Sequence, residues 1–414
     1  MSETELRGEV ATARAERLTQ LEKYQTLALL SGGHGVAHWY NGVLSVLYPA
    51  LTAALGLSYS QVGLFDSSRG VVAVIASLTG GYLADVFGRK RLMLALALVS
   101  LGVAFFFLSF AQTFAIALLW LAIGGIGNSL WHPYAMPILG ALFPRRKSMA
   151  LAFHDAAANF FHGLSPIVVG FLFSLWTWDR VVRLHLWPGL LLGGLLLLIV
   201  PRVELARGER SNEVSYRQAL RSGLLRNREF VLAGAVSIGL TVGRLGLFTF
   251  LPLFLAFELG LDSTLQGLHM GVLTFSGALA APVVGVLADR VGVRLVLMVA
   301  TLLATILIFS LSLARAGLAL LVIIGLIGAT LFSVRSLIMV YVISAVPTEL
   351  GGSSVGVIFS LNRLFGILSP IVAGIIGDLY GLRAVFLFLG SLTFIGMLLT
   401  LTLRQGQGGK DATS

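Results

Sequence analysis

The chain has 414 residues, of which 57% are hydrophobic and only 12% charged. Soluble domains carry about 25% charged residues, so this composition excludes a soluble globular protein and specifies a polytopic membrane protein. The formal charge of +10 fits a positive-inside bias rather than a nucleic-acid partner, and the absence of cysteine excludes a disulfide framework or a thiolate metal site.

Residues 1–24 are charged (Arg7, Arg14, Glu16, Arg17, Glu22, Lys23) and lack the apolar core of a signal peptide. They are expected to form a short helix on the cytoplasmic surface. A spanning helix needs about 20 mainly apolar residues. Twelve such runs follow: 25–55, 61–84, 92–110, 114–142, 148–176, 184–201, 229–257, 263–287, 294–313, 317–346, 353–377 and 382–403. Residues 202–228 carry seven arginines and form a cytoplasmic linker between a bundle at 25–201 and a second at 229–403, with a tail at 404–414. Counting Lys and Arg outside the spans gives 21 on the side of the termini and four on the other, Arg180, Arg183, Arg315 and Arg383. That asymmetry predicts cytoplasmic termini.

The two bundles are duplicated. Gly81-Tyr-Leu83-Ala-Asp85-Val-Phe-Gly88-Arg89-Lys90-Arg91 returns as Gly285-Val-Leu287-Ala-Asp289-Arg-Val-Gly292-Val-Arg294, and Leu164-Ser-Pro166 returns as Leu368-Ser-Pro370. Both pairs are 204 residues apart. One shared offset for two separate motifs points to two pseudo-symmetric six-helix halves.

The 81–91 stretch resembles the signature of the major facilitator superfamily between its second and third helices, and 285–294 resembles the second copy. Tyr48-Pro49 and Asn128-Ser-Leu-Trp131-His132-Pro133 resemble the fosmidomycin-resistance-like efflux branch of that family. The resemblance covers residues 25–403. It implies an all-α fold of two bundles rocking about a central cavity lined by the first, fourth, seventh and tenth helices. Two departures stand against the family's drug–proton exporters. Residues 114–127 hold no charge, and helix five reads Gly163-Leu-Ser165-Pro166 instead of G-P-x-x-G-G. Uniport and anion symport therefore stay open.

The latch motif also has a physical reading. Gly81 permits close helix packing and Gly88 a sharp turn. Asp85 needs a positive partner, which the N–H groups and dipole of a helix opening at Gly351-Gly-Ser-Ser354 would supply. By symmetry Asp289, followed by Gly292, would face the helix opening at Lys147-Ser148. Arg89, Lys90 and Arg91 join that latch or act only as topology signals.

Ionisable groups at bilayer depth are costly and tend to face a cavity or one another. His34, His38, Asn41, Ser45 and Tyr48 follow steps of four, three, four and three, which places them on one stripe of helix one. Asp155, Asn159 and His162, with His154 adjacent, sit on helix five. Asn128 and His132 lie on helix four, Arg244 on helix seven, and Arg335 on helix ten. The offset maps Tyr40 onto Arg244 and Trp131 onto Arg335. Ser45, Asn128 and Asn159 are read as helix–helix glue, and His34 and His269 as packing residues. Arginine keeps its proton in a protein. Arg69 has Asp66 three residues away for a local pair, whereas Arg244, Arg335 and Arg363 share at most one deep carboxylate.

This surplus of positive charge points to an anionic or amphiphilic organic substrate, contacted by His38, Asn41, Arg69, His132, Arg244, Arg335 and Arg363. Asp155 is the first candidate for proton coupling, then Asp66, with His154 and His162; His38 and His132 can also carry a proton. No HExxH, P-loop or other catalytic constellation is present, so no enzyme activity and no cofactor is expected, only a proton gradient as energy source. A proton-coupled efflux or exchange transporter is the leading reading, an anion or nutrient uptake symporter the second. A divalent-metal exporter using the histidines is the third, because buried arginines disfavour a cation. The expected setting is a monomer in the inner membrane, with lipid and a small molecule as its partners. Replacing Asp85 by Asn should leave insertion and folding intact while lowering transport. A variant with normal transport would refute the latch.

Overall fold

Lipid offers no partner for backbone N–H and C=O groups, so each spanning run must satisfy them along its own helix. The computed structural model describes residues 18–87, 89–200, 224–346 and 351–404. The linker residues 201–223, most of the N-terminal segment and the tail from 405 onward lie outside the described residues. All twelve expected spans are helical and no strand occurs among the described residues.

In chain order the helices are α1 (Gln20–Leu55), α2 (Tyr59–Phe87), α3 (Lys90–Leu108), α4 (Phe114–Leu142), α5 (Lys147–Leu175) and α6, whose segments Trp178–Leu184 and Leu186–Ile199 meet at His185. After the linker come α7 (Arg228–Leu253, continued by a π turn Phe254–Glu258), α8 (Ser263–Val291) and α9 (Val293–Leu311). The set ends with α10, α11 (Gly351–Tyr380) and α12 (Leu382–Thr402). Helix α10 is broken into Leu318–Ile327, a π turn Gly328–Phe332, and Arg335–Ser344. Among the described residues, ten helices are long and apolar enough to cross a membrane. Helix α1 misses that mark because its stripe of His, Asn, Ser and Tyr lowers its hydropathy.

Side chains set the starts of several helices. Thr113, Asn227 and Asp262 accept from the backbone N–H of Ile116, Phe230 and Leu265 and so satisfy donors the first turn leaves open. Thr19 and Glu22 form a reciprocal capping box ahead of the first span. The Thr19 N–H and hydroxyl hold the Glu22 carboxyl below its ordinary range.

Helix α6 begins at Trp178, earlier than its apolar run, because Asp179 and Arg183 pair at 2.5 Å one turn apart and make a helical but polar first segment. Its break has two causes, the first being Pro188, which has no N–H to give the Leu184 carbonyl. The Tyr40 hydroxyl donates to the His185 carbonyl and accepts from the Gly189 N–H at 3.1 Å. Residues 185 and 189 would otherwise bond each other, so a buried tyrosine is inserted into the α6 ladder.

The described residues cluster into two compact units, 1–50 with 68–211, and 51–67 with 212–414. In the first, Trp131, Tyr40 and Tyr134 are among the largest fully buried side chains. In the second, Phe254 packs edge-on to Phe386 at 4.9 Å, and Arg383 bonds the Ser312 carbonyl and lies 3.6 Å from Glu258. Residues 51–67, counted by the sequence division with the first bundle, pack in the second unit. There the Asp378 carboxylate accepts from the N–H groups of Tyr59 at 2.7 Å and Ser60 at 3.1 Å. An anion thus caps the N-terminus of α2. One turn on, a Cβ built on Gly63 would lie 2.1 Å from the Pro370 carbonyl oxygen.

Backbone cannot yield as a flexible side chain can. Gly63→Val should therefore cost about 1–3 kcal/mol by overpacking, read as a lowered melting temperature of the purified protein. Gly194→Val, with nothing within 4 Å of its Cβ, is the control and should leave it unchanged.

Candidate solute and proton site

In the first unit the polar stripe of α1 meets α2, α4 and α5. Arg69 on α2 donates from Nη2 to Asn41 Oδ1 at 2.6 Å, and Asn41 Nδ2 donates to Asn128 Oδ1 on α4 at 3.1 Å. The three residues form a chain across three helices, which fixes the amide orientation of both asparagines. Asn128 thus serves as helix glue, while Asn41 uses both ends of its amide to hold a guanidinium. Ser45 turns back to the Gly42 carbonyl on its own helix.

The histidines gather one turn away. The His34 ring lies 4.1 Å from His154, nearly parallel, and 4.7 Å edge-on from both His38 and His132; His38 is 5.7 Å from His162. Five imidazoles from α1, α4 and α5 therefore form one connected cluster. The Trp131 indole N–H donates to His154 Nε2 at 3.3 Å, and the His34 Nδ1–H donates to the His154 carbonyl at 3.1 Å. A Cβ on Gly33 would meet the Trp131 ring at 2.2 Å, so the absence of a side chain there is what admits the indole against α1. Asp155, next to His154 in sequence, is exposed, as is His132.

The second unit carries fixed positive charge. Arg244 on α7 is half-buried, with its guanidinium 5.9 Å from the centre of the Phe332 ring. Arg335 stands three residues beyond that ring. Phe332 ends the π turn of α10, and Arg335 begins the helical segment after it. Asp66 accepts from the Thr249 hydroxyl. Arg363 is exposed on α11, beside a buried Asn362 that donates to the Ser237 hydroxyl at 2.8 Å.

The structure thus brings together His38, His132, His154 and His162, and separately Asn41 with Arg69, and Arg244 with Arg335. Of the latch residues, Gly81 lies within α2, and Arg89 is exposed just ahead of α3. Asp289 is exposed in the last turn of α8, where Gly292 follows at φ +94° and ends the helix. Gly88 and the side chain of Asp85 lie outside the described residues. Sequence periodicity put His34 on the right face but marked it as packing. Its place at the centre of the imidazole cluster depends on which helices adjoin α1, and no spacing within α1 reveals that.

Two long helical halves with polar clusters at mid-span define a membrane transporter rather than an enzyme. The family model described as Major Facilitator Superfamily matches residues 30–370 and 258–413, and the chain belongs to that family. The Fosmidomycin resistance protein of Escherichia coli (strain K12) is 24% identical over 402 residues, covering 94% of this chain and 95% of that one. Multidrug resistance protein MdtG of Klebsiella pneumoniae (strain 342) is 27% identical, covering 86% and 85%. Among solved structures, a bacterial homolog of the human lysosomal transporter Spinster matches with TM-score 0.80 at 15% identity, covering 93% and 97%. The D-xylose-proton symporter matches with TM-score 0.73 at 17% identity, covering 93% and 99%. These likenesses fix the fold as that of the major facilitator transporters.

Proposed function

We propose that this protein is a secondary transporter that works by alternating access of its two halves and exports a small anionic or amphiphilic organic solute in exchange for protons. The observation that carries this reading is the pair Arg244 and Arg335 at the break in α10. Two guanidiniums gathered about one ring at bilayer depth repel, and an anion placed between them removes that cost. The helical segment opening at Arg335 adds the positive end of its dipole to the same place, and a discontinuous helix is a usual support for such a site. Phe332 supplies an apolar face for the remainder of an amphiphile.

Asn41, Arg69, His38, His132 and Arg363 are the further solute contacts in this reading. Asp155 leads the proton-carrying groups, with Asp66, His154 and His162. The turns at Gly81–Arg89 and Asp289–Gly292 act as cytoplasmic latches. The names of the resistance proteins similar to this chain support export, and that of the D-xylose-proton symporter supports a proton as the coupling ion. The protein works as a monomer in the inner membrane, with both termini cytoplasmic and no cofactor.

Each charge-assisted hydrogen bond is worth about 1.5–3 kcal/mol. In proteoliposomes with an imposed pH gradient, Arg244→Gln and Arg335→Gln should each lower flux of an anionic solute, fosmidomycin being the first probe, by about 10- to 100-fold. Asp155→Asn should keep solute exchange but lose the response to the gradient. Flux indifferent to both arginine substitutions would refute the anion site.

Because the chain has no cysteine, single-cysteine labelling reads topology directly. Thr177→Cys, between α5 and α6, should react with a membrane-impermeant maleimide on intact cells, and Arg145→Cys, between α4 and α5, only after permeabilisation. The reverse pattern would invert the orientation.

A further inference from the structure

The imidazole cluster holds more lone pairs than the transport reading uses. His34, His132 and His154 each present a ring nitrogen, and these three atoms lie within 4.8 Å of one another. They come from α1, α4 and α5, so the grouping is a product of the fold and not of a local sequence motif. Three ring nitrogens in the cluster, His34 Nε2, His38 Nδ1 and His154 Nδ1, are buried without a hydrogen-bond partner. Buried polar atoms are ordinarily satisfied, and each one left bare costs free energy. Several bare nitrogens in one cluster are the mark of a site shaped for a ligand.

The tautomers indicate what that ligand is. His34 Nδ1 faces the His154 carbonyl at 3.1 Å and so carries the ring proton. Its Nε2 is left as a lone pair aimed into the cluster. A histidine whose second nitrogen is anchored on a carbonyl is the usual arrangement of a metal ligand, since the anchor fixes tautomer and ring orientation. Metal–imidazole bonds of about 2.0–2.1 Å put tetrahedral ligand atoms about 3.4 Å apart, so three donors within 4.8 Å must draw in by up to about 1.4 Å, and one of the stacked His34 and His154 rings must turn so that both lone pairs meet at the ion. Neutral nitrogen donors select late first-row cations over Mg²⁺ or Ca²⁺, which take oxygen. His132 is exposed and offers the cation a way in. The guanidinium nearest in the same unit, Arg69, is held by Asn41 Oδ1 at 2.6 Å.

We propose that His34, His132 and His154 form a binding site for a divalent transition-metal ion of the zinc, cobalt or nickel class, with a fourth position open to water or another ligand. Trp131 opposes it. Its N–H occupies His154 Nε2, and whichever nitrogen of His154 takes the metal, that contact is lost. Either Nε2 becomes the ligand, or Nδ1 does and Nε2 then holds a proton facing the indole N–H. Metal binding is therefore coupled to release of one tryptophan hydrogen bond.

The test is a titration of the purified full-length protein with Co²⁺ alone, followed by competition with Zn²⁺. One Co²⁺ per chain should bind with the strong visible d–d absorption of a tetrahedral nitrogen site. His34→Asn and His132→Asn should each weaken binding by more than about 100-fold, beyond the loss from removing an outer partner, and His269→Gln, outside the cluster, should leave it unchanged. His132 is exposed, so its substitution keeps the test informative should the His34 variant fold poorly. Trp131→Phe should bind Zn²⁺ about two- to tenfold more tightly, the worth of one ordinary hydrogen bond. Absence of stoichiometric binding, or a Co²⁺ spectrum unaltered by either ligand substitution, would overturn the site. Neither readout requires transport, so failure here leaves the anion reading standing, and the converse also holds.

Discussion

A polar group placed at bilayer depth must find its partner inside the protein, and much of this structure follows from how that demand is met. Lipid supplies no hydrogen bonds, so regular helices satisfy the backbone and side chains must satisfy one another. Arg69, Asn41 and Asn128 do so in sequence across three helices. Tyr40 does so by entering the backbone ladder of α6 at the turn where Pro188 already leaves the Leu184 carbonyl without its N–H partner. The same demand makes the exceptions informative. Three imidazole nitrogens buried without a partner, those of His34, His38 and His154, fall together in the α1–α4–α5 cluster.

The two halves answer the demand differently at equivalent positions. The 204-residue offset maps Tyr40 onto Arg244 and Trp131 onto Arg335. In the first half those positions hold neutral aromatic donors, each spent on the structure: the hydroxyl on the α6 ladder, the indole on His154. In the second half they hold two guanidiniums, Arg244 against the Phe332 ring and Arg335 three residues beyond that ring. One repeated backbone plan thus carries a structural pair in one half and a charged pair at the matched positions of the other.

Most of the fold was legible in the sequence, because a membrane reduces the problem to length, hydropathy and loop charge. Helices α4, α8 and α12 begin where their apolar runs begin, at 114, 263 and 382. The departures have local causes. The polar Asp179–Arg183 turn lengthened α6 beyond its apolar run, and the π turns at 254–258 and 328–332 leave no hydropathy trace. The site was legible in part. A 3.6-residue period assigns a face, so the α1 stripe could be read directly. It assigns neither a rotamer nor a neighbouring helix, so it could not distinguish Asn41 as the holder of Arg69 or His34 as the centre of five imidazoles. Those facts depend on contacts such as Gly33 against Trp131, nearly a hundred residues apart in sequence.

The division of chemistry between the halves also constrains coupling. A guanidinium holds its proton throughout any physiological pH range, so Arg244 and Arg335 can attract an anion but cannot report the proton gradient. The groups that can exchange a proton sit elsewhere: imidazoles of α1, α4 and α5, Asp155 on α5, and Asp66 on α2. An imidazole has one lone pair to give once its other nitrogen is anchored, and a proton and a metal ion compete for it. If His34, with Nδ1 fixed on the His154 carbonyl, gives that lone pair to a metal, its Nε2 is closed to protons. The carboxylates would then carry the coupling. If it does not, the cluster is available to share it. Metal occupancy and proton coupling are therefore alternatives at His34, and occupancy of a single ring nitrogen decides between them.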